Sequence, residues 1–328
     1  MPVALFICLI LFSHLSWSLE IEGTYDLGAG ETRVVLLGTQ DFDAIEPVLN
    51  GFVDENFEVS IRYIQASSRA IDKAIYKGLG SNFDVIMSSA VDLQVKAVND
   101  GYANSLSIDL SDATQWRQEL VQIAIEPIVT IFNQKLNPDF SVIKTRLDLI
   151  KALDGINVKK TLMIYDPAMS GVGYLLSRQD EIQDAKFWTL LESFKQQDFR
   201  PVCCSSQMID GVINGEADLA YNIVESYALP NLKEDGPLQI IHFDDYQIAI
   251  PRTAFIPKDS NQSAAGEKFI SFFLSESGQN LLTPSTRLSV LDANSVVGGP
   301  LRPIRLSPSL IISLDRVAKS EFFDQWLR

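Results

Sequence analysis

The chain has 328 residues, with 27 basic and 42 acidic side chains, a formal net charge of −15, and 46% hydrophobic residues. That composition excludes disordered, collagen-like and coiled-coil classes, and the length suits two domains or one large two-lobed unit. The acidic balance, without a clustered run of Lys and Arg, excludes nucleic acid as a partner.

Val3 to Leu15 (VALFICLILFSHL) is an apolar run broken only by Ser13 and His14. It is short for a bilayer span, which takes ~20 residues. Ser16-Trp17-Ser18 follows, with small residues at the −3 and −1 positions of a cut before Leu19. Residues 1–18 are therefore expected to be a signal peptide, and the mature protein to be exported. Cys8 lies within this run. Of the remaining cysteines, Cys203 and Cys204 are adjacent, so a disulfide scaffold is excluded. The main reading for them is two small residues at a strand end, with a vicinal disulfide as the minor one.

The body alternates strand and helix. Arg33–Gly38 reads as a buried strand, 41–53 as a helix with Phe42, Ile45, Val48, Leu49 and Phe52 on one face, and 57–64 as a strand. Ser67 or Ser68 caps a helix carrying Ile71, Ala74, Ile75 and Leu79. Phe83–Met87 is a strand, and Val91, Leu93, Val95, Ala97 and Val98 mark a helix that Asn99-Asp100-Gly101 ends. Gln122–Phe132 is a long β-like run holding Pro127, which predicts an edge or connecting strand. A second set follows: a strand at Thr161–Tyr165, a turn at 166–173 opening a helix, a helix at 208–214 and a strand at 217–222. Tyr246–Phe255 is again long and β-like, with Pro251. Helices are predicted over 264–274 and, as one terminal amphipathic helix, over 307–327. The pattern predicts an α/β protein of two lobes, each a mixed, mostly parallel sheet flanked by helices, joined by a two-strand hinge. The expected division is 19–125 plus 256–328 for the first lobe, with 286–328 able to pack across both, and 126–255 for the hinge strands and second lobe.

These stretches resemble the periplasmic solute-binding proteins of ABC importers, in the type-2 group related to ferric-iron-binding proteins. The likeness rests on Val34–Leu49, Asn82–Ser89, the turn Tyr165–Gly173 (YDPAMSGVG), Gly211–Tyr227, Arg252–Pro257, and Phe269–Ser275 continuing through Gly278-Gln279. It implies a type-2 periplasmic-binding fold, the periplasm as the place to which the mature chain is exported, a small anion or polar solute as ligand, and a membrane ABC permease as partner. An alternative is a ligand-sensing accessory of a membrane sensor kinase; a second alternative is ferric-iron binding. No cofactor and no catalysis are expected, and the protein is expected to be a monomer. The chain carries no GxSxG, HExxH, P-loop or GxGxxG in a strand–helix context.

The candidate ligand-binding residues are Thr39, Gln40, Ser67, Ser68, Ser88, Ser89, Ser170, Gly171, Asn222 and Tyr227. They are hydroxyls, amides or bare backbone at turns, several at predicted helix N-termini, where free N–H groups favour anions. Gly171 and Gly173 would let a ligand approach the backbone. Arg69 could add charge, although solvent is its expected direction. No metal site is expected. Ferric-binding relatives carry two adjacent tyrosines where Ser226-Tyr227-Ala228 keeps one, and the weak donor set is Tyr227, Glu225 and Asp41. His242 is expected to be structural.

Overall fold

A computed structural model describes residues 19–111, 114–155, 158–291 and 299–328. The expected signal peptide lies outside them. The strands are β1 (Gly23–Leu27), β2 (Thr32–Gly38), β3 (Val59–Gln65), β4 (Val85–Ser88), β5 (Gln115–Trp116), β6 (Leu120–Asn133), β7 (Thr161–Tyr165), β8 (Asp198–Val202), β9 (Leu219–Val224), β10 (Leu238–Ile241), β11 (Gln247–Phe255) and β12 (Leu301–Pro303). Helices α1 (Phe42–Glu55), α2 (Ser68–Tyr76) and α3 (Val91–Asn99) belong to the first βα set. Helices α4 (Arg146–Asp154), α5 (Gly171–Gln183), α6 (Phe187–Lys195), α7 (Ser205–Ile213) and α8 (Glu225–Ala228) belong to the second, and α9 (Ser263–Leu274) and α10 (Glu276–Asn280) follow.

The first lobe is built on the order β1-β3-β2-β4-β11-β6, the second on β6-β9-β7-β8 with β10 on the other side of β6. Strands joined through helices pair in parallel, as β2 does with β3 and β4, and β7 with β8 and β9. The strands that cross between lobes pair antiparallel. Helical spacing in α1 puts Ile45, Val48, Leu49 and Phe52 on one fully buried face. Each such side chain contributes roughly 1.5–3 kcal/mol.

The two Pro-containing runs are the crossings. Every residue of β6 is buried, and the strand is paired on both sides, so it connects the lobes and is not an edge. Its proline is tolerated because it sits where one ladder ends and the next begins. Pro127 is the last residue opposite β11, at Ala249, and Ile128 the first opposite β9, at Val224. A donor missing there breaks no continuous ladder.

The terminal segment is not the one helix the periodicity suggests. It is two, Ser309–Ile312 and Arg316–Trp326, broken where the Asp315 carboxylate accepts from the Val317 amide at 2.8 Å and caps the second. Leu310 of the first packs with Val91 and Val95 of the first lobe. Phe322 and Trp326 of the second are buried with Tyr174, Leu190 and Phe194 of the second lobe. Helices α4 and α6 and strands β1 and β8 add to the elements read from sequence. No helix among the described residues is long and apolar enough to cross a membrane.

Candidate functional site

Between the lobes lies a cavity of about 310 Å³. The first lobe lines it with Glu22, Thr39, Asp41, Gln65, Ser67, Ser68, Ser89 and Arg252. The second supplies Tyr165, Met169, Ser170, Val172, Val224, Tyr227 and the run Cys203–Ser206. Three helices of nine or more residues begin at its wall: α2 after Ser67, α5 after Ser170 and α7 after Cys204. Ser67 Oγ accepts from the Ala70 amide at 3.2 Å and Ser170 Oγ from the Gly173 amide at 3.0 Å. These two serines both cap their helices and face the cavity, with their hydroxyl protons left to donate.

Of the residues singled out from sequence, Thr39, Ser67, Ser68, Ser89, Ser170 and Tyr227 are brought together here. Gln40, Ser88, Gly171 and Asn222 are not among the lining groups. Gln40 is buried behind the wall, its carbonyl accepting from the Tyr63 hydroxyl at 2.5 Å. Ser88 Oγ accepts from the Ala90 amide at 3.1 Å. Asn222 takes a left-handed φ of 65° at an irregularity of the β6–β9 ladder. Its amide donates to buried Asp180 at 2.6 Å. The space spared by Gly171 goes to the other lobe: a Cβ there would lie 2.7 Å from Ser68 Oγ. The space at Gly173 goes to Tyr165 in the same way, so these glycines admit protein, not a ligand.

Arg252 is the group that the sequence reading missed as a site residue. It is fully buried on β11 beside a bulge of the facing strand, where the pairing skips Ile123 of β6. Its Nε donates to Glu126 Oε1 at 3.1 Å and its Nη1 to Thr39 Oγ1 at 3.3 Å. Glu126 also accepts from the Ser226 hydroxyl at 2.8 Å. Burial alone would lower the Arg252 pKa, but Glu126, Tyr227 and Tyr63 hold it raised, so it stays a cation. The signal was there: Glu126 and Arg252 are charges set within two long apolar runs, and buried charges occur in pairs.

Desolvation raises the carboxyl pKa of Asp41, opposed by Arg252, and that of Glu22. Burial pushes the Tyr227 hydroxyl up to about 12, so near neutral pH it is a neutral donor. Ser89 Oγ is buried without a hydrogen-bond partner. The site can thus accept from donors at Asp41 and Glu22, and donate to acceptors from Arg252, Tyr227, the serines and three helix starts.

Of the weak metal-donor set, Asp41 and Tyr227 reach the cavity, but Glu225 is engaged by His242 Nε2 at 2.6 Å. That contact gives His242 a structural partner. Among the described residues no group of three or more His, Cys, Asp or Glu is placed to hold a metal. Arg69 is exposed, yet its Nη2 crosses the cleft to donate to the Pro167 carbonyl at 2.8 Å. Cys203 and Cys204 follow β8, and the structure pairs them as a vicinal disulfide, the minor of the two sequence readings.

The solved structures show the same fold. The substrate-binding protein of an ABC transporter from Agrobacterium tumefaciens is 24% identical, with a TM-score of 0.82 over 93% of this chain and 97% of that one. Iron-bound HitA from Pseudomonas aeruginosa is 18% identical, with a TM-score of 0.67 over 90% and 98%. The periplasmic binding protein AfuA from Actinobacillus pleuropneumoniae, with fructose-6-phosphate bound, is 15% identical, with a TM-score of 0.69 over 91% and 98%. No curated protein sequence matches the chain. The family profile for bacterial extracellular solute-binding proteins matches residues 35–284, well over half of the sequence, and this chain belongs to that family.

Proposed function

We propose that the protein is a periplasmic, monomeric solute-binding component of an ABC importer, and that its cargo is a small hydroxylated organic anion. The cavity between the lobes carries this reading. Its volume of about 310 Å³ falls at the lower end of small-molecule sites, ~300–1,000 Å³, and is about ten times the ~30 Å³ share of one water. A bare ion would leave most of it unfilled. Its chemistry is mixed: Arg252, Tyr227 and the serines favour an acceptor such as a carboxylate or phosphate, while Asp41 and Glu22 favour hydroxyl donors on the same molecule. AfuA, of the same fold, was solved with fructose-6-phosphate, a molecule of that kind. The binding residues in this reading are Ser67, Ser68, Ser89, Thr39, Asp41 and Arg252 from the first lobe, and Ser170 and Tyr227 from the second. The lobes divide along the crossing strands: 19–125 and 256 onward form the first, 126–255 holds the hinge strands and the second, the β4-paired end of β11 that carries Arg252 lies against the first, and the terminal helices touch both. No step of chemistry is assigned to the site.

The test is native mass spectrometry of the exported protein after exposure to a periplasmic small-molecule extract. Retention of one organic anion per chain is expected. Retention of ferric iron, with a tyrosinate absorption band abolished in Tyr227→Phe, would replace this reading with iron binding.

A further inference from the structure

The cavity is two-faced. Every group that the first lobe turns into it is polar or charged, from Glu22 to Arg252. Its aliphatic and sulfur-bearing lining, Met169, Val172, Val224 and the Cys203–Cys204 pair, comes from the second lobe alone. The second lobe also offers the hydroxyls of Tyr165, Ser170, Ser205, Ser206 and Tyr227, so a solute made only of polar groups would be met by both lobes except along this carbon and sulfur face, where it would be desolvated at a cost. A solute with one carbon face matches both.

The cysteine pair is the unusual part of that face. A disulfide's customary stabilisation comes from closing a loop in the unfolded chain, and it grows with the residues enclosed. Here the sequence separation is 1, so no loop is enclosed. What the pairing changes is the surface. Two thiols, each with a proton to donate, become one uncharged, polarisable sulfur face with no donor. That face is held in place on both sides. Residue 203 follows β8 directly, Cys204 is the cap residue of α7, and the Ser205 hydroxyl after it is bonded to the Tyr165 hydroxyl.

Building on the function proposed above, we propose that the Cys203–Cys204 disulfide is a ligand-contact surface. It packs against the carbon face of the hydroxylated anion and so selects organic over inorganic anions, and the paired state is the binding state. Reduction would convert the face into two donors with free rotamers. With a phosphine the step balances: phosphorus gives two electrons to the S–S bond, water supplies the two thiol protons, and its oxygen leaves as the phosphine oxide.

Fructose 6-phosphate and inorganic phosphate are the probes. Each is titrated calorimetrically into the exported protein, into the same protein reduced with tris(2-carboxyethyl)phosphine, and into the double variant Cys203→Ser with Cys204→Ser. Fructose 6-phosphate is expected to bind the paired form about tenfold more tightly than the other two, the worth of burying one or two methylenes. Inorganic phosphate, which has no carbon face, should bind all three alike. If the double variant does not fold, the reduced protein carries the comparison. Equal affinity for fructose 6-phosphate in all forms overturns the inference, as does an equal loss for inorganic phosphate, or peptide mapping that finds both thiols free in exported protein. If fructose 6-phosphate binds no form, the inference falls, while another organic anion retained from the extract leaves the proposed function standing.

Discussion

Arg69 and Pro167 meet across the mouth of the cleft, the guanidinium of one lobe donating to a backbone carbonyl of the other at 2.8 Å. The bond exists only while the lobes touch. Because the bond is at the surface, it stabilises the closed state by about 0.5–1.5 kcal/mol. Arg69→Ala should therefore weaken solute binding by roughly 2- to 10-fold and enlarge the radius of gyration of the unliganded protein. Small-angle scattering and affinity both unchanged by the substitution would remove Arg69 from the closing mechanism.

The Arg252–Glu126 pair is almost fully buried, with side-chain exposures of 2% and 1%. Removing one partner strands the other as an uncompensated charge. Arg252→Met should cost about 3–5 kcal/mol in denaturant unfolding. Adding Glu126→Gln should recover much of that stability but none of the binding. If the double variant binds as the parent does, Arg252 serves the hinge alone.

Ser89 offers the opposite profile. Its hydroxyl is buried and has no hydrogen-bond partner in the protein, so Ser89→Ala should leave stability unchanged or raise it. Affinity should fall by about 0.5–1.5 kcal/mol, one hydrogen bond's worth. Tyr227→Phe should lower affinity by a similar amount, and stability slightly as well, because its hydroxyl is hydrogen-bonded to the Asp41 backbone. Since the tyrosine stays neutral up to about pH 12, its loss should be the same from pH 6 to 9. A loss that changes across that range would point to a tyrosinate.

Asp92 predicts a pH dependence of stability. It is buried on α3, and burial pushes its carboxyl up from 3.8 to about 7, against a weaker pull from its helix amides and Lys319. Between those values the folded protein holds a proton that the unfolded chain has released. Stability therefore falls as pH rises through this window. Asp92→Asn should match the parent near pH 4 and exceed it by up to about 4 kcal/mol at pH 8. Parallel stability profiles for the two proteins would show that Asp92 is already ionised when folded.

Much of the fold was legible because the apolar spacing changed period at each element. Ile45, Val48, Leu49 and Phe52 could only share a face in a helix, and they do. The two Pro-containing runs announced the crossings, although not that β6 would be paired on both sides. The turn serines were legible as a set, because hydroxyls before helices are both caps and cavity edges. Which of them reach the cavity was not, since Ser88 and Ser89 differ by one residue and face opposite ways. Arg252 and Asp41 were harder still. Their meeting depends on β11 lying between β4 and β6, a pairing of residues far apart in sequence that no local pattern encodes. The apolar half of the cavity was invisible for a related reason: Val172 and Val224 look like ordinary core positions until the second lobe is set against the first.

The terminal segment has a mechanical meaning. Two strands make a hinge, but the chain also passes a third time from one lobe to the other, with Leu310 anchored beside α3 and Trp326 seated among the aromatics of the second lobe. The Lys195 ammonium grips the Trp326 carbonyl at 2.5 Å, and the Tyr174 hydroxyl holds the Ser313 carbonyl. Such a strap works like the stay of a box lid. It resists wide gaping, because opening must stretch the chain between its two anchors, and it draws the lobes back into register as they close.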